Sequence, residues 1–258
     1  CGGVDKNLGD LPDPGKNKRV TNKGKIKMLT NTLASIRKEG LGFDDQIDYE
    51  LCELQLEQIR LGYELEIDGV PMNMRMPNAS GVISGPLFML FINDPREDKL
   101  RIVNIISRLN KVPEYLISYK RNLIDPVERW VKMEIESLAG LPRFFENIFD
   151  WAKQVEFKNI GLLEDAIQKA NIALNDYKNF LEVSTKSKNI VLGREQMNLV
   201  IKSRGITQSP DELHQIAKDF TAKNQSEVKF YKEKLCQKYE LDEKTSPENL
   251  QTFLNKKY

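Results

Sequence analysis

Zinc centres and nucleophilic triads both draw on imidazole, which titrates near neutrality and binds borderline metals. The 258 residues contain a single histidine, His214. It stands in SPDELHQIAKDF, in the second turn of a capped helix, without Glu-x-x-His spacing, and reads as a surface or packing side chain. Glu53 and Glu57 lie one helical turn apart, as do Asp48 and Cys52. A carboxylate metal face in a helical bundle wants Glu-x-x-His on the facing helices. None exists here, so this run reads as a solvated acidic face. Trp130 and Trp151, with Met72, Met74 and Met76, could line an apolar pocket. The tryptophans sit at a helical spacing that more often means core, whereas the methionines fall outside the helical rhythm and could form a mobile apolar lip. Glycine-rich phosphate loops are absent. The residues therefore predict no catalytic group and no metal ligand in this chain.

The elements that must carry these residues follow from composition and period. With 40% hydrophobic and 30% charged residues, the chain can bury a sizeable core. Its 39 lysines and arginines nearly cancel 38 aspartates and glutamates, so the field that draws a protein to nucleic acid is missing. The one strongly basic stretch, KNKRVTNKGKIK at 16–27, interleaves no aromatic residue for base stacking and reads as a solvated linker running into a helix. No nucleic-acid partner is predicted. The longest apolar run, GVISGPLFMLFI at 81–92, falls short of the roughly 20 residues of a membrane-spanning helix. It reads as a short element buried against neighbouring helices.

A chain that opens on Cys1 and continues GGVDKNLGDLPDPGKNK is similar to a mature bacterial lipoprotein. In that class the signal is cut immediately before a diacylated cysteine, leaving a flexible tether. On this reading Cys1 is the lipid attachment and residues 1–22 are the tether. The protein is then exported and anchored in the bacterial cell envelope, meeting the membrane only through its lipid. A chain boundary that happens to fall at cysteine is the plainer alternative. Cys52 and Cys236 lack Cys-x-x-Cys spacing and read as small buried hydrophobes, with a disulfide between them left open.

Beyond the tether, residues 23–258 read as one helical domain with a sub-boundary near 186–193. Ile26, Leu29, Leu33 and Ile36 make a first stripe, stopped at Gly40. Ile47, Leu51, Leu54, Leu61 and Leu65 make a heptad seam, with Asp44 or Asp45 as its cap. Residues 68–85 break the rhythm with glycine and proline and predict a long loop. Then come starts marked by proline: Asn110 ends one helix and Pro113 opens the next, Asp125 caps another at Pro126, and Gly140 with Pro142 divides a pair. An amphipathic run from Leu162 to Val183 follows. The capping box Ser209-Pro210-Asp211-Glu212 launches a helix to about Tyr239, and Ser246-Pro247 launches the last. The prediction is an all-α array of about nine or ten amphipathic helices joined by short, proline-started connections.

Three stretches resemble the amino-terminal half of the bacterial domain-of-unknown-function 885 family, whose members are described as zinc-metallopeptidase-like. They are DDQIDYELCELQLEQ at 44–58, RLNKVPEYLISYKRNLIDPVERWV at 108–131, and GREQMNLVI through TQSPDELHQIAKDF at 193–220. In that family the metal site lies in the carboxy-terminal half, on a helix with a His-Glu pair followed by Pro-Gly-His. Nothing after His214 is histidine. The resemblance therefore implies a non-catalytic helical portion that forms part of a peptide-substrate cleft and is inactive alone. Zinc is expected only in a carboxy-terminal half or a partner chain, and no cofactor in this one. A stand-alone helical binding or scaffolding lipoprotein is the alternative, and a carrier with a dry pocket a third.

Overall fold

A computed structural model of the chain describes residues 7–242 and 244–257. Among them are ten α-helices and one two-stranded hairpin, so the fold is all-α. The chain divides into two compact units between Gln196 and Met197, a few residues beyond the stretch where a sub-boundary was expected.

The core of the first unit is built by α5 (Asp98–Lys120), α6 (Glu128–Gln154) and α7 (Ile160–Val183). Each contributes one continuous buried stripe: Ile102, Ile105, Leu109, Val112 and Leu116 from α5; Val131, Leu138, Leu141, Phe145 and Ile148 from α6; Leu163, Ala166, Ala170, Leu174, Tyr177 and Leu181 from α7. The alanines of α7 are small enough to let α5 pack closely along it, and that pairing is the most extensive in the chain.

The same stripes overturn two predicted helix starts. Pro113 lies inside α5 and Pro142 inside α6, with Asn110 and Gly140 in mid-helix. An interior proline forfeits one backbone hydrogen bond and crowds the carbonyl four residues back, at a cost of about 3 kcal/mol. Leu109 and Val112 before Pro113, and Tyr115 and Leu116 after it, are all buried. Each buried side chain of that size contributes about 1.5–3 kcal/mol, so a helix carried through the proline is favoured over a break that exposes them. Nor does Asp125 cap α6: that helix opens at Glu128 with Val127 at its cap, and Asp125 turns through φ 39°.

The segment 68–85 is likewise ordered rather than a long loop. Strands β1 (Glu66–Ile67) and β2 (Val70–Pro71) pair in register Ile67 to Val70 across a turn in which Asp68 and Gly69 have φ of 53° and 72°, the left-handed conformation that Asp-Gly favours. Helices α3 (Met72–Arg75) and α4 (Ala79–Phe88) follow, and a π-helical turn at Met89–Asn93 extends α4. Ile83, Leu87 and Leu90 are buried, so the 81–92 run packs against its neighbours as predicted. Arg101 tightens the end of that turn by donating to the carbonyls of Leu90 and Phe91.

Helix α1 (Lys16–Ala34) begins inside the stretch expected to be a tether. It packs on α2 (Phe43–Glu64), and Ile26, Tyr49 and Leu61 are buried. Of the α2 heptad seam, Leu61 and Leu65 are buried while Ile47 and Leu51 stay exposed. Its cap position is Gly42, with Asp44 and Asp45 in the first turn, where the helix dipole favours negative charge. Ahead of α1, the backbone of residues 7–15 is sewn along α5. Ser107 Oγ and Lys111 Nζ both donate to the Gly9 carbonyl at 2.9 Å, buried Arg108 donates to the Leu8 carbonyl, and Asn122 Nδ2 donates to that of Pro14 at 2.7 Å. A Cβ at Gly9 would lie 3.0 Å from Ser107 Oγ, so the approach there is close.

Helix α8 (Arg194–Lys202) spans the division between the units. In the second unit, α9 (Pro210–Lys238) opens on the expected capping box, Ser209 Oγ accepting from Glu212 N at 3.3 Å and Glu212 Oε2 from Ser209 N at 2.7 Å. Helix α10 (Pro247–Lys257) closes the described chain, with Tyr239 and Phe253 ring centroids 5.5 Å apart. Cys236 is buried, but Cys52 is exposed, against expectation, and both are free. No helix among the described residues is long and apolar enough to cross a membrane.

Candidate functional site

A cleft of about 570 Å³ in the first unit is lined by four separate stretches of chain. Helix α5 supplies Tyr115 and Tyr119, and the turn after it Asn122; the α3 region supplies Asn73, Met74, Met76 and Asn78; the end of α2 supplies Tyr63; residues 12–22 supply a wall that includes Arg19 and Val20. Tyr115 and Tyr119 are four residues apart on one helix, so they occupy one face, with ring centroids 5.6 Å apart.

The methionine side of the cleft is held by a buried arginine. Arg75 donates to the Ile67 carbonyl at 2.8 Å and the Asp125 carbonyl at 3.3 Å and pairs with Asp68 at 3.0 Å. The backbone closes the same contact from the other side, with Ile124 N donating to the Met74 carbonyl at 2.8 Å and Val127 N to that of Arg75 at 2.9 Å. The backbone of Met74 and Arg75 is thus held against the α5–α6 turn.

Behind the tyrosines lies a buried polar layer. Glu134, 3% exposed, accepts from the Ser80 backbone at 2.9 Å and from Ser80 Oγ at 2.5 Å, so its carboxylate sits at the amino terminus of α4. The positive end of that helix, with two hydrogen bonds, offsets the cost of burying the charge. Tyr119 Oη accepts from Asn78 N at 2.9 Å, and its ring meets Tyr177 edge-on at 6.0 Å. Burial, and to a lesser extent the negative field of Glu134, pushes the Tyr119 phenol up to about 12, against the opposing Asn78 hydrogen bond. Burial raises Tyr115 and Tyr177 as well. All three stay neutral phenols near neutral pH, where they can donate and accept hydrogen bonds but cannot serve as bases. Of the described residues lining the cleft, Asp13 and Arg19 carry charge: Asp13 Oδ1 accepts from Gly15 N at 2.8 Å, and Arg19 donates to the Tyr63 carbonyl at 3.1 Å. Asn73 Oδ1 is buried and makes no hydrogen bond.

Of the residues singled out in the sequence, only Met74 and Met76 line this cleft. Met72 opens α3 and is not part of the lining. Trp130 and Trp151 stand 21 residues apart on α6, about 30 Å along a helix, so no single pocket holds both. Trp151 instead packs edge-on to Phe91 at 5.3 Å, beneath the Arg101 guanidinium at 4.7 Å. His214 is exposed on α9. Glu53 pairs with Lys38 at 3.2 Å and Glu57 with Arg60 at 2.6 Å. Hydrogen bonding from Arg60 holds the Glu57 carboxyl below its usual range. Among the described residues no three His, Cys, Asp or Glu side chains gather closely enough to hold a metal. The described residues offer no donor set for zinc, which the resemblance places in a carboxy-terminal half or a partner chain. Cys1 lies outside the described residues.

Tyr115, Tyr119 and Glu134 were missed in the sequence, although a signal exists. Glu134 interrupts the stripe Val131, Leu138, Leu141, Phe145, and Arg108 interrupts Ile105, Leu109, Val112. A charge set into an otherwise apolar helical stripe marks a buried polar contact.

Among solved structures, the chain is similar to "a putative lipoprotein of unknown function" from Shewanella oneidensis, at 18% identity and a TM-score of 0.64. The alignment covers 94% of this chain and 45% of that one, so the chain spans less than half the length of its structural neighbour. The likeness is one of fold. A search of curated proteins finds no match. The family model for a bacterial protein of unknown function, DUF885, matches residues 2–257 from end to end of the helical array, and the chain belongs to that family.

Proposed function

We propose that this chain is a non-catalytic helical portion of an exported, zinc-metallopeptidase-like lipoprotein, anchored through Cys1 in the bacterial envelope, and that its tyrosine and methionine cleft forms part of the wall along which a peptide substrate lies. The observation that carries this reading is the cleft itself, which brings Tyr63, Tyr115 and Tyr119 together with Met74 and Met76 from separate stretches of the chain. Family membership and the greater length of the structural neighbour support placing the chain within a larger assembly. The metal chemistry then belongs to a carboxy-terminal half or a partner chain. A stand-alone binding or scaffolding lipoprotein is the second reading, supported by the exposed apolar side chains Ile216, Phe220 and Val228 on α9.

Zinc titration by calorimetry, with a peptide-hydrolysis assay on the same preparation, tests the assignment. The expected outcome is no stoichiometric tight zinc site and no chelator-sensitive cleavage. One tight equivalent of zinc, or hydrolysis abolished by chelation and attributable to this chain, overturns it.

A further inference from the structure

We propose that the lysine-bearing end of α1, with Lys18, Lys23, Lys25 and Lys27, lies against an anionic phospholipid surface as a second membrane contact beside the lipid at Cys1. This rests on the reading that the chain is anchored in the envelope, and adds which face it turns to the membrane.

Charge is segregated along the α1–α2 hairpin. Helix α1 carries six lysines and arginines, all within residues 16–27, and no aspartate or glutamate. Helix α2 carries Asp44, Asp45, Asp48, Glu50 and Glu53 in its first half. The two helices run antiparallel. At one end Arg19 and Asn22 donate to the carbonyl and the hydroxyl of Tyr63, each at 3.1 Å; at the other Lys38 pairs with Glu53 at 3.2 Å. The acids beside the basic end, Glu57 and Glu64, are both paired with Arg60. Lys18, Lys23, Lys25 and Lys27 are exposed, and none pairs with a carboxylate among the described residues. The chain as a whole is nearly neutral, so attraction to an anionic surface has to come from such a patch.

The shape of the helix selects a membrane among anionic surfaces. Val20, Gly24 and Met28 fall at successive turns on the side away from buried Ile26, and Val20 and Met28 are 72% and 59% exposed. By helical period Lys18 and Lys25 flank this ridge on one side and Lys23 and Lys27 on the other. Cations on both shoulders of an exposed apolar ridge suit a helix lying in the plane of lipid headgroups. The ridge has no aromatic ring on which a base could stack. The strap ahead of α1 keeps the membrane near. Its backbone is held along α5 from Arg108 to Asn122, so six residues separate the lipid from fixed backbone, a span of at most about 22 Å. The anchored chain therefore stays within a few Debye lengths of the headgroups, where each lysine brought to the surface strengthens binding.

The test is co-sedimentation of the unacylated Cys1→Ser chain with vesicles of phosphatidylcholine, alone or mixed with phosphatidylglycerol, at low and at high salt. Binding to the mixed vesicles is expected to be at least about 10-fold tighter than to phosphatidylcholine, and to be lost at high salt. Lys18→Gln, Lys23→Gln, Lys25→Gln and Lys27→Gln are expected to cost roughly 5-fold each; glutamine keeps the helix propensity of lysine. Lys99→Gln, Lys132→Gln, Lys158→Gln and Lys169→Gln together remove the same charge from exposed positions elsewhere in the first unit, and are expected to change binding by less than about 2-fold. Equal losses from the two sets of four, or equal binding to both kinds of vesicle, overturn the proposal. Tighter binding to a duplex oligonucleotide than to the mixed vesicles overturns the membrane as occupant. The mass of Cys1 in natively expressed protein reads the anchor separately. An acylated Cys1 without phosphatidylglycerol binding overturns the α1 surface and keeps the anchor; an unmodified Cys1 overturns the anchor, while binding that depends on the four α1 lysines still upholds the surface.

Discussion

Helices α5 and α6 reach their full length without a side-chain cap at either start and with a proline inside each. Helix α9 has the complete set of local start signals, a reciprocal capping box with proline in its first turn, yet Cys236 is its one buried residue. Ile216, Phe220, Val228, Phe230 and Tyr231 on α9 are all more than half exposed. Local chemistry determines where α9 begins; burial determines where α5 and α6 continue. A capping box contributes about 1 kcal/mol, whereas a fully buried stripe contributes several times that and can carry a helix across its own breaker.

The sharpest way to break this contrast is a pair of matched truncations. Phe145, fully buried on α6, and Phe220, 64% exposed on α9, differ in surroundings and not in chemistry. Phe145→Ala is expected to destabilise by about 3–5 kcal/mol, and Phe220→Ala by no more than about 0.5 kcal/mol, both read from urea midpoints. Equal losses would mean that α9 is as deeply supported as the bundle. A second substitution sharpens the role of Pro113. If the α5 stripe bears the cost of the proline, Pro113→Ala restores a hydrogen bond to Leu109 and stabilises by about 1 kcal/mol, net of the greater freedom of the unfolded chain. A proline that began a helix would give no such gain.

The smallest effect concerns pH. With the Tyr119 phenol pushed up to about 12 by burial, the unfolded chain gives up its proton near pH ~10 while the native chain keeps it. Stability is therefore complete below about pH 10 and falls as pH rises toward about 12, because the native state binds more protons across that window. Tyr119→Phe should flatten this decline in a series of urea midpoints. An unchanged slope would remove Tyr119 from the buried layer.

The sequence was most informative where a signal is local. The Ile160–Val183 helix, the box at Ser209 and the start at Pro247 were all legible from spacing and capping. It misled at Pro113, Pro142 and the 68–85 segment, where a local breaker meets burial supplied by residues distant in sequence. It also misled at Ile47 and Leu51, where a seam of good period has nothing to cover it among the described residues. Met74 and Met76 were found as candidates because they lay outside a helical pattern. Tyr115 and Tyr119 were not, because aromatics inside such a pattern resemble any other core. Their distinction comes from Asn73, Asn78 and the amino-terminal wall, which the fold brings to them from far along the chain.

The seam between residues 7–15 and α5 has a mechanical consequence. Tension on the backbone ahead of Asn7 would not peel α1 away turn by turn. It would load the contacts at Arg108, Ser107, Lys111 and Asn122 together, in shear along the α5 axis, so the pull passes directly into the helix that floors the cleft.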